Sequence, residues 1–231
     1  MLLEGILSKI SDYFGKMLEL LKIHGFWSFV KIIFITLSLV AGLFYIQYLV
    51  SSYVEEEAAV KQKAEHDYQI GVRQQIQPKI QSILEDNRIL LYADRACILE
   101  LHNGTNNTAG LPFIHASMTY EDDAKDIENI DEDYQNLTLS RFTFPLYLHK
   151  NNYWLGSLDE LKEIDPKMSR RMGNNDVKFM AIVTLQTETS ELGYLSLTWC
   201  KDDKIPSTQE ILTKLIPASQ RLAKLLEKSN Q

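Results

Sequence analysis

The chain has 231 residues and a net charge of -7, with 31 acidic side chains against 24 basic ones, an acidity that argues against a nucleic-acid partner, which would want a basic face. Residues 1–31 carry +1, four lysines against Glu4, Asp12 and Glu19, which leaves -8 for the rest and disfavours tight binding of that part to anionic headgroups. Two cysteines, Cys97 and Cys200, are too few for a disulfide framework and show no Cys-x-x-Cys spacing for zinc or redox chemistry.

Residues 1–23 place Leu3, Ile6, Leu7, Ile10, Phe14, Met17, Leu18 and Leu21 at helical spacing, with lysine, glutamate, serine and aspartate opposite them. This predicts an amphipathic helix in the region 1–31, suited to the headgroup plane or to pairing with copies of itself. Ile32 to Val54 follows without one charge, closed by Lys31 and by Glu55, Glu56 and Glu57. At about 1.5 Å per residue the run covers roughly 34 Å, enough to cross a hydrocarbon core of about 30 Å. It is too long, and begins too late, for a cleaved signal peptide, and so reads as a single transmembrane helix over 32–54. Lys9, Lys16, Lys22 and Lys31 precede it and only Lys61 and Lys63 follow closely, which predicts a cytoplasmic N terminus and an extracytoplasmic C-terminal domain. Within the run, Thr36, Ser38, Ala41 and Gly42 allow close helix approach and Gln47 can hydrogen-bond between helices, making these the expected contacts of a membrane oligomer.

Residues 55–78 read as a polar stalk helix, with Pro78 kinking it or starting a second helix whose stripe is Ile80, Ile83 and Leu84. From Ala96 the period becomes strand-like. Strands are predicted over 96–102 and 112–121, separated by a turn-rich loop, then a solvated acidic excursion over 121–136, which lacks the order of a calcium loop. RFTFPLYLH (141–149) alternates as a third strand, placed at a sheet edge because Pro145 removes a ladder donor. Short helices are predicted over 157–164 and 166–172, strands over 177–186 and 193–200, and a final helix from Ser207 to about Lys228 opened by a Ser-x-x-Glu cap at Ser207 and Glu210. The expected fold is α+β, an antiparallel sheet with flanking helices over 79–231. Cys97 shares a strand face with Leu99 and Leu101, whereas Cys200 falls opposite to Leu195, Leu197 and Trp199. If all those leucines face one core, the sulfurs point to different sides and a bridge is disfavoured.

Glu100 and His102 alternate on one strand face and His115 sits on its neighbour, a set that can hold a metal or move protons, although any polar outer face has the same pattern. The chain has no Gly-rich phosphate loop, no Gly-x-Ser-x-Gly elbow and no His-Glu-x-x-His helix. No catalytic residue, metal ligand or cofactor is assigned, and an enzyme is not expected.

The closing stretch GYLSLTWCKDDKIPSTQEILTKLIPASQRLAKLL resembles the last strand, turn and helix of GAF/PAS-type sensory domains. The span at 32–54, ADRACILELHNGTNN with LPFIHASMTYE after it, and the tail from KFMAIVTLQ onward together resemble the T-even-type, or class III, phage holins. That resemblance implies a protein that accumulates in the bacterial inner membrane, self-assembles there and opens lesions through which an endolysin passes, with an antiholin bound by the outer domain. Its partners would be membrane lipid, copies of itself and the antiholin, with no nucleic acid. The alternative is a membrane-anchored GAF/PAS-like sensor or binding module, which demands an apolar pocket with convergent polar groups.

Overall fold

The computed structural model describes residues 12–13, 15–19, 22–23, 25–106, 112–201 and 204–229. Most of the amphipathic helix expected over residues 1–23, and residues 107–110 of the loop expected over 102–110, lie outside the described residues. The chain forms two compact units, residues 1–65 and 66–231.

The first unit holds the start of helix α1, Phe26–Leu90. Every side chain from Ile32 to Val54 is exposed, and α1 is long and apolar enough over this stretch to cross a membrane. In the second unit the remainder of α1 buries Val72, Ile76, Ile80 and Leu84, one residue per helical turn. Pro78 lies inside α1 and does not begin a second helix. A proline there forfeits a backbone bond at a cost of about 3 kcal/mol, offset by the burial of Ile76 and Ile80 on either side of it.

Six strands form one antiparallel sheet: β1 (Arg95–Asn106), β2 (Pro112–Asp123), β3 (Leu137–Thr138), β4 (Tyr153–Ser157), β5 (Phe179–Gln186) and β6 (Glu191–Trp199). Their order is β3-β2-β1-β6-β5-β4, so two hairpins join through the central β1–β6 pair. Gly193 permits that junction: a Cβ there would come within 2.0 Å of the Leu99 carbonyl oxygen. Helices α2 (Phe144–Asn151), α3 (Leu158–Ile164) and α4 (Pro166–Gly173) fill the connections, and α5 (Thr208–Ser229) closes the chain. As the sequence predicts, the Ser207 hydroxyl caps α5, accepting from the Glu210 amide at 3.3 Å. The fold is α+β.

One sheet face is covered by α1 and α5, which press Ile80, Leu84, Leu215 and Leu222 onto Ile98, Leu195 and Leu197, all fully buried. The other carries α2, α3, α4 and a 3-10 turn over Asp131–Tyr134.

Three expectations are corrected. The stretch 141–149 is no edge strand but a 3-10 turn running into α2. Phe144 and Leu148, four apart, face the core, Pro145 sits in the first turn where its missing amide costs nothing, and the Asp165 carboxylate accepts from the Thr143 and Phe144 amides at 2.7 and 3.0 Å. Left-handed Asn152 then turns the chain into β4, a strand that the alternation did not reveal. Second, the acidic excursion is not wholly solvated: Glu121 and Asp123 belong to β2 and turn inward. Third, the leucines of β1 and β6 do not share a core. Cys97 lies with Met118 and Tyr134, across the sheet from Leu195 and Leu197. Both cysteines are free. Cys97 stands opposite Ser196, and Cys200 is four residues further along, roughly 13 Å at strand rise and beyond bridging distance.

Candidate functional site

Alternation on β1 sends Arg95, Cys97 and Leu99 to the face away from α1 and α5. A bulge between Ile98 and Leu99 resets β2, so that Glu121 and Asp123 join them there beside Ala116 and Met118. Between these strands, β5, β6, α2 and α4 lies a cavity of about 50 Å³. Its walls are apolar apart from one end. Met118, Met168, Met172 and Met180 all line it, and the chain's two other methionines are Met1 and Met17. Unbranched thioethers fill irregular space and adjust to what enters it.

Arg95, 2 % exposed, forms the polar end. Its Nε donates to Asp123 Oδ1 at 3.0 Å and lies 2.9 Å from Glu121 Oε1, while Nη2 donates to the Glu128 carbonyl. Glu121 also accepts from the Ile130 and Asp131 amides, which ties the connection after β2 to the cavity wall. Burial raises the carboxyl pKa of both Glu121 and Asp123, and the mutual repulsion of the pair raises Glu121 further. Nη1 of Arg95 and Oγ1 of Thr198, buried on cross-strand neighbours of β1 and β6, have no hydrogen-bond partner. Burial pushes the Cys97 thiol up to about 12, so the sulfur is a poor nucleophile. Burial likewise pushes Tyr134 up to about 12; its hydroxyl accepts from Asn175 at 2.9 Å and faces the Met172 sulfur at 3.8 Å.

The expected proton or metal cluster forms only in part. His102 and His115 stand opposite each other with ring centroids 5.9 Å apart. Each is engaged elsewhere, His102 with Ser117 at 2.9 Å and His115 with Asn136, while Glu100 pairs with Arg73 of α1 and accepts from Thr119. Among the described residues no group of three or more histidine, cysteine or acidic side chains is arranged to hold a metal ion. Thr36, Ser38, Ala41, Gly42 and Gln47 are all exposed on α1, and the Thr36 hydroxyl already donates to the Ile32 carbonyl at 2.8 Å. Sequence reasoning missed Arg95 and Thr198. The usable signal was a charged residue in phase with Cys97, Leu99 and Leu101 on an otherwise apolar strand face.

No protein-family model matches the chain, and no curated protein does. Solved structures do. A far-red cyanobacteriochrome photoreceptor is 12 % identical over 74 % of this chain and 97 % of its own, with a TM-score of 0.53. The cyanobacteriochrome receptor PixJ is 14 % identical over 69 % and 97 %, with a TM-score of 0.50. The GAF domain of a two-component sensor histidine kinase from Bacillus halodurans is 15 % identical over 66 % and 95 %, with a TM-score of 0.48. None of the three is a phage holin, and the lysis role gains no support from them. At such identities the likeness is one of fold: the chain carries an apolar helix followed by a GAF-like α+β domain.

Proposed function

We propose that this chain is a membrane-anchored, GAF-like binding module. The apolar part of α1 holds it in a bilayer, with the N terminus cytoplasmic on the strength of the lysines before the span, and the C-terminal domain takes a small molecule into its methionine-lined cavity. The cavity carries this reading, because it leaves free volume among apolar side chains, with buried Arg95 and Thr198 among the residues of its wall. Its size favours a ligand of only a few non-hydrogen atoms, since a pocket that takes benzene is about 150 Å³. A route for response is built into β1. Cys97 and Leu99 line the cavity, and the next residue, Glu100, pairs with Arg73, which also bonds to Ser229 of α5 and lies 5.0 Å from the Tyr120 ring. A shift of β1 on binding is therefore felt by α1, the same helix that carries the apolar run.

Xenon tests the site. In the full chain in lipid nanodiscs with 13C-methyl methionine, xenon pressure shifts the four cavity methyls if the reading holds. If those methyls do not respond, it fails.

A second reading is the lysis role, favoured by the uncharged, wholly exposed run Ile32–Val54 with Thr36, Ser38, Ala41, Gly42 and Gln47 as self-contacts and an antiholin on the outer domain. Its test is inducible expression in bacteria with an endolysin that lacks its own export signal. Abrupt lysis, lost with Leu39→Asp or Gly42→Asp, favours this reading; continued growth with an intact membrane potential defeats it.

A further inference from the structure

The polar groups in the cavity wall are turned away from the free volume or already engaged. Arg95 Nη1 and Thr198 Oγ1 are buried beyond the reach of a water molecule. The remaining Arg95 nitrogens that bond do so with Glu121, Asp123 and the Glu128 carbonyl, and the Tyr134 hydroxyl is taken by Asn175. What a guest meets is thioether, aliphatic and aromatic carbon. A molecule that donates or accepts gives up its bonds to water on entering such a space and gains none in return, whereas one without polar groups loses nothing. Polarizable thioether sulfur adds dispersion attraction for the second kind. Volume sets the scale, since about 50 Å³ is a third of the roughly 150 Å³ that holds benzene.

The cavity also has an apolar neighbour. A surface groove beside α2 shares Leu139, Pro145 and Tyr194 with it, and these three side chains partition one space from the other. The groove's outer wall includes Ile114 and Leu146, 54 % and 65 % exposed. An apolar molecule leaving water therefore meets the groove first and the partition next.

Resting on the reading that the cavity holds a small molecule, we infer that its ligand is a dissolved gas or short hydrocarbon of about two or three heavy atoms that makes no hydrogen bonds, and that it enters from the groove past Leu139, Pro145 and Tyr194. Binding is non-covalent and reversible. So few atoms cap the affinity at a dissociation constant of about 0.5 mM.

Ethane, dioxygen and methanol, alike in heavy-atom count, separate these terms. Each is titrated into the full chain in nanodiscs with 13C-methyl methionine, with xenon run in parallel. Ethane is expected to shift the four cavity methyls and dioxygen to broaden them by its paramagnetism, with methanol at least about tenfold weaker. A response to dioxygen without ethane assigns the site to a gas, and a response to both assigns it to apolar guests at large. Methanol binding as well as ethane overturns the inference. If xenon binds while ethane and dioxygen do not, the inference falls and the cavity reading stands; if xenon also fails, both fall. The entrance is tested by the rate at which ethane exchanges. Leu139→Ala is expected to speed exchange at least about threefold and Leu139→Phe to slow it, whereas Leu155→Ala, on the filled face, leaves it unchanged. If the two Leu139 variants move the rate in the same direction, or no more than Leu155→Ala does, the entrance lies elsewhere and that part of the inference is overturned.

Discussion

The two faces of this sheet are built to different standards. On the side of α1 and α5, leucine, isoleucine and alanine interlock almost wholly buried, and the core cluster there contains no methionine. On the side of α2 and α4 the lining holds four methionines, a thiol and a buried arginine, and it encloses free volume. A side chain in a filled core has one place to go, and a thioether beside a void has several. The contrast separates a filled face from one that leaves room, although both hang on the same central strands.

The largest blow to the contrast is Arg95→Met. It leaves Glu121 and Asp123 buried without their counter-charge and is expected to cost about 3–5 kcal/mol, as large as a leucine-to-alanine change on the filled face. Denaturant unfolding of the full chain measures it, and a loss under about 1 kcal/mol would show that the acids do not depend on Arg95. The pH dependence has a fixed sign. Both carboxyls bind protons more tightly folded than unfolded, so what they add to stability is present below their unfolded pKa, about 4, and is lost as pH rises through their raised folded values. Acidification from neutrality therefore narrows the gap between Arg95→Met and the parent.

A matched pair comes next. Ala181 and Ala116 are both fully buried on strands, Ala181 in the filled core and Ala116 at the cavity. Ala181→Val overpacks and is expected to cost about 1–3 kcal/mol, whereas Ala116→Val grows into free space and costs less than about 1 kcal/mol. Equal costs in thermal unfolding would erase the distinction between the faces.

A smaller effect than the loss of Arg95 concerns the frame of the cavity. Asp165 accepts from the amides of Thr143, Phe144, Lys167 and Met168, fixing the starts of α2 and α4 together. Burial alone would raise its pKa, but these four bonds prevail and lower it. Asp165→Asn keeps one acceptor oxygen and is expected to cost about 1–2 kcal/mol. Because the folded pKa is lowered, that stabilisation is present above the unfolded pKa and is lost as pH falls through the folded value. The parent and the variant therefore converge in acid, and a gap that widened there would refute this assignment.

How much of this could be read in advance follows from what alternation encodes. Period-two patterns located β1, β2, β5 and β6, and Ser207 with Glu210 marked the start of α5, because in each case local chemistry and burial agree. Residues 141–149 misled because FTFPLYL satisfies a period of two and a spacing of four at once. The deciding contact, the Asp165 carboxylate on Thr143 and Phe144, comes from some twenty residues away. The cavity was illegible for a related reason. Alternation shows that Arg95 and Cys97 share a face but not which face, and it cannot show that a β2 bulge turns Glu121 and Asp123 onto the same side.

The most direct test of the central claim is xenon binding read at the methionine methyls of the full chain in nanodiscs, compared across the parent, Ala116→Val and Ala181→Val. Saturable shifts are expected at Met118, Met168, Met172 and Met180 in the parent and in Ala181→Val, with their loss in Ala116→Val. Shifts that are absent from the parent, or that survive Ala116→Val undiminished, would contradict that claim.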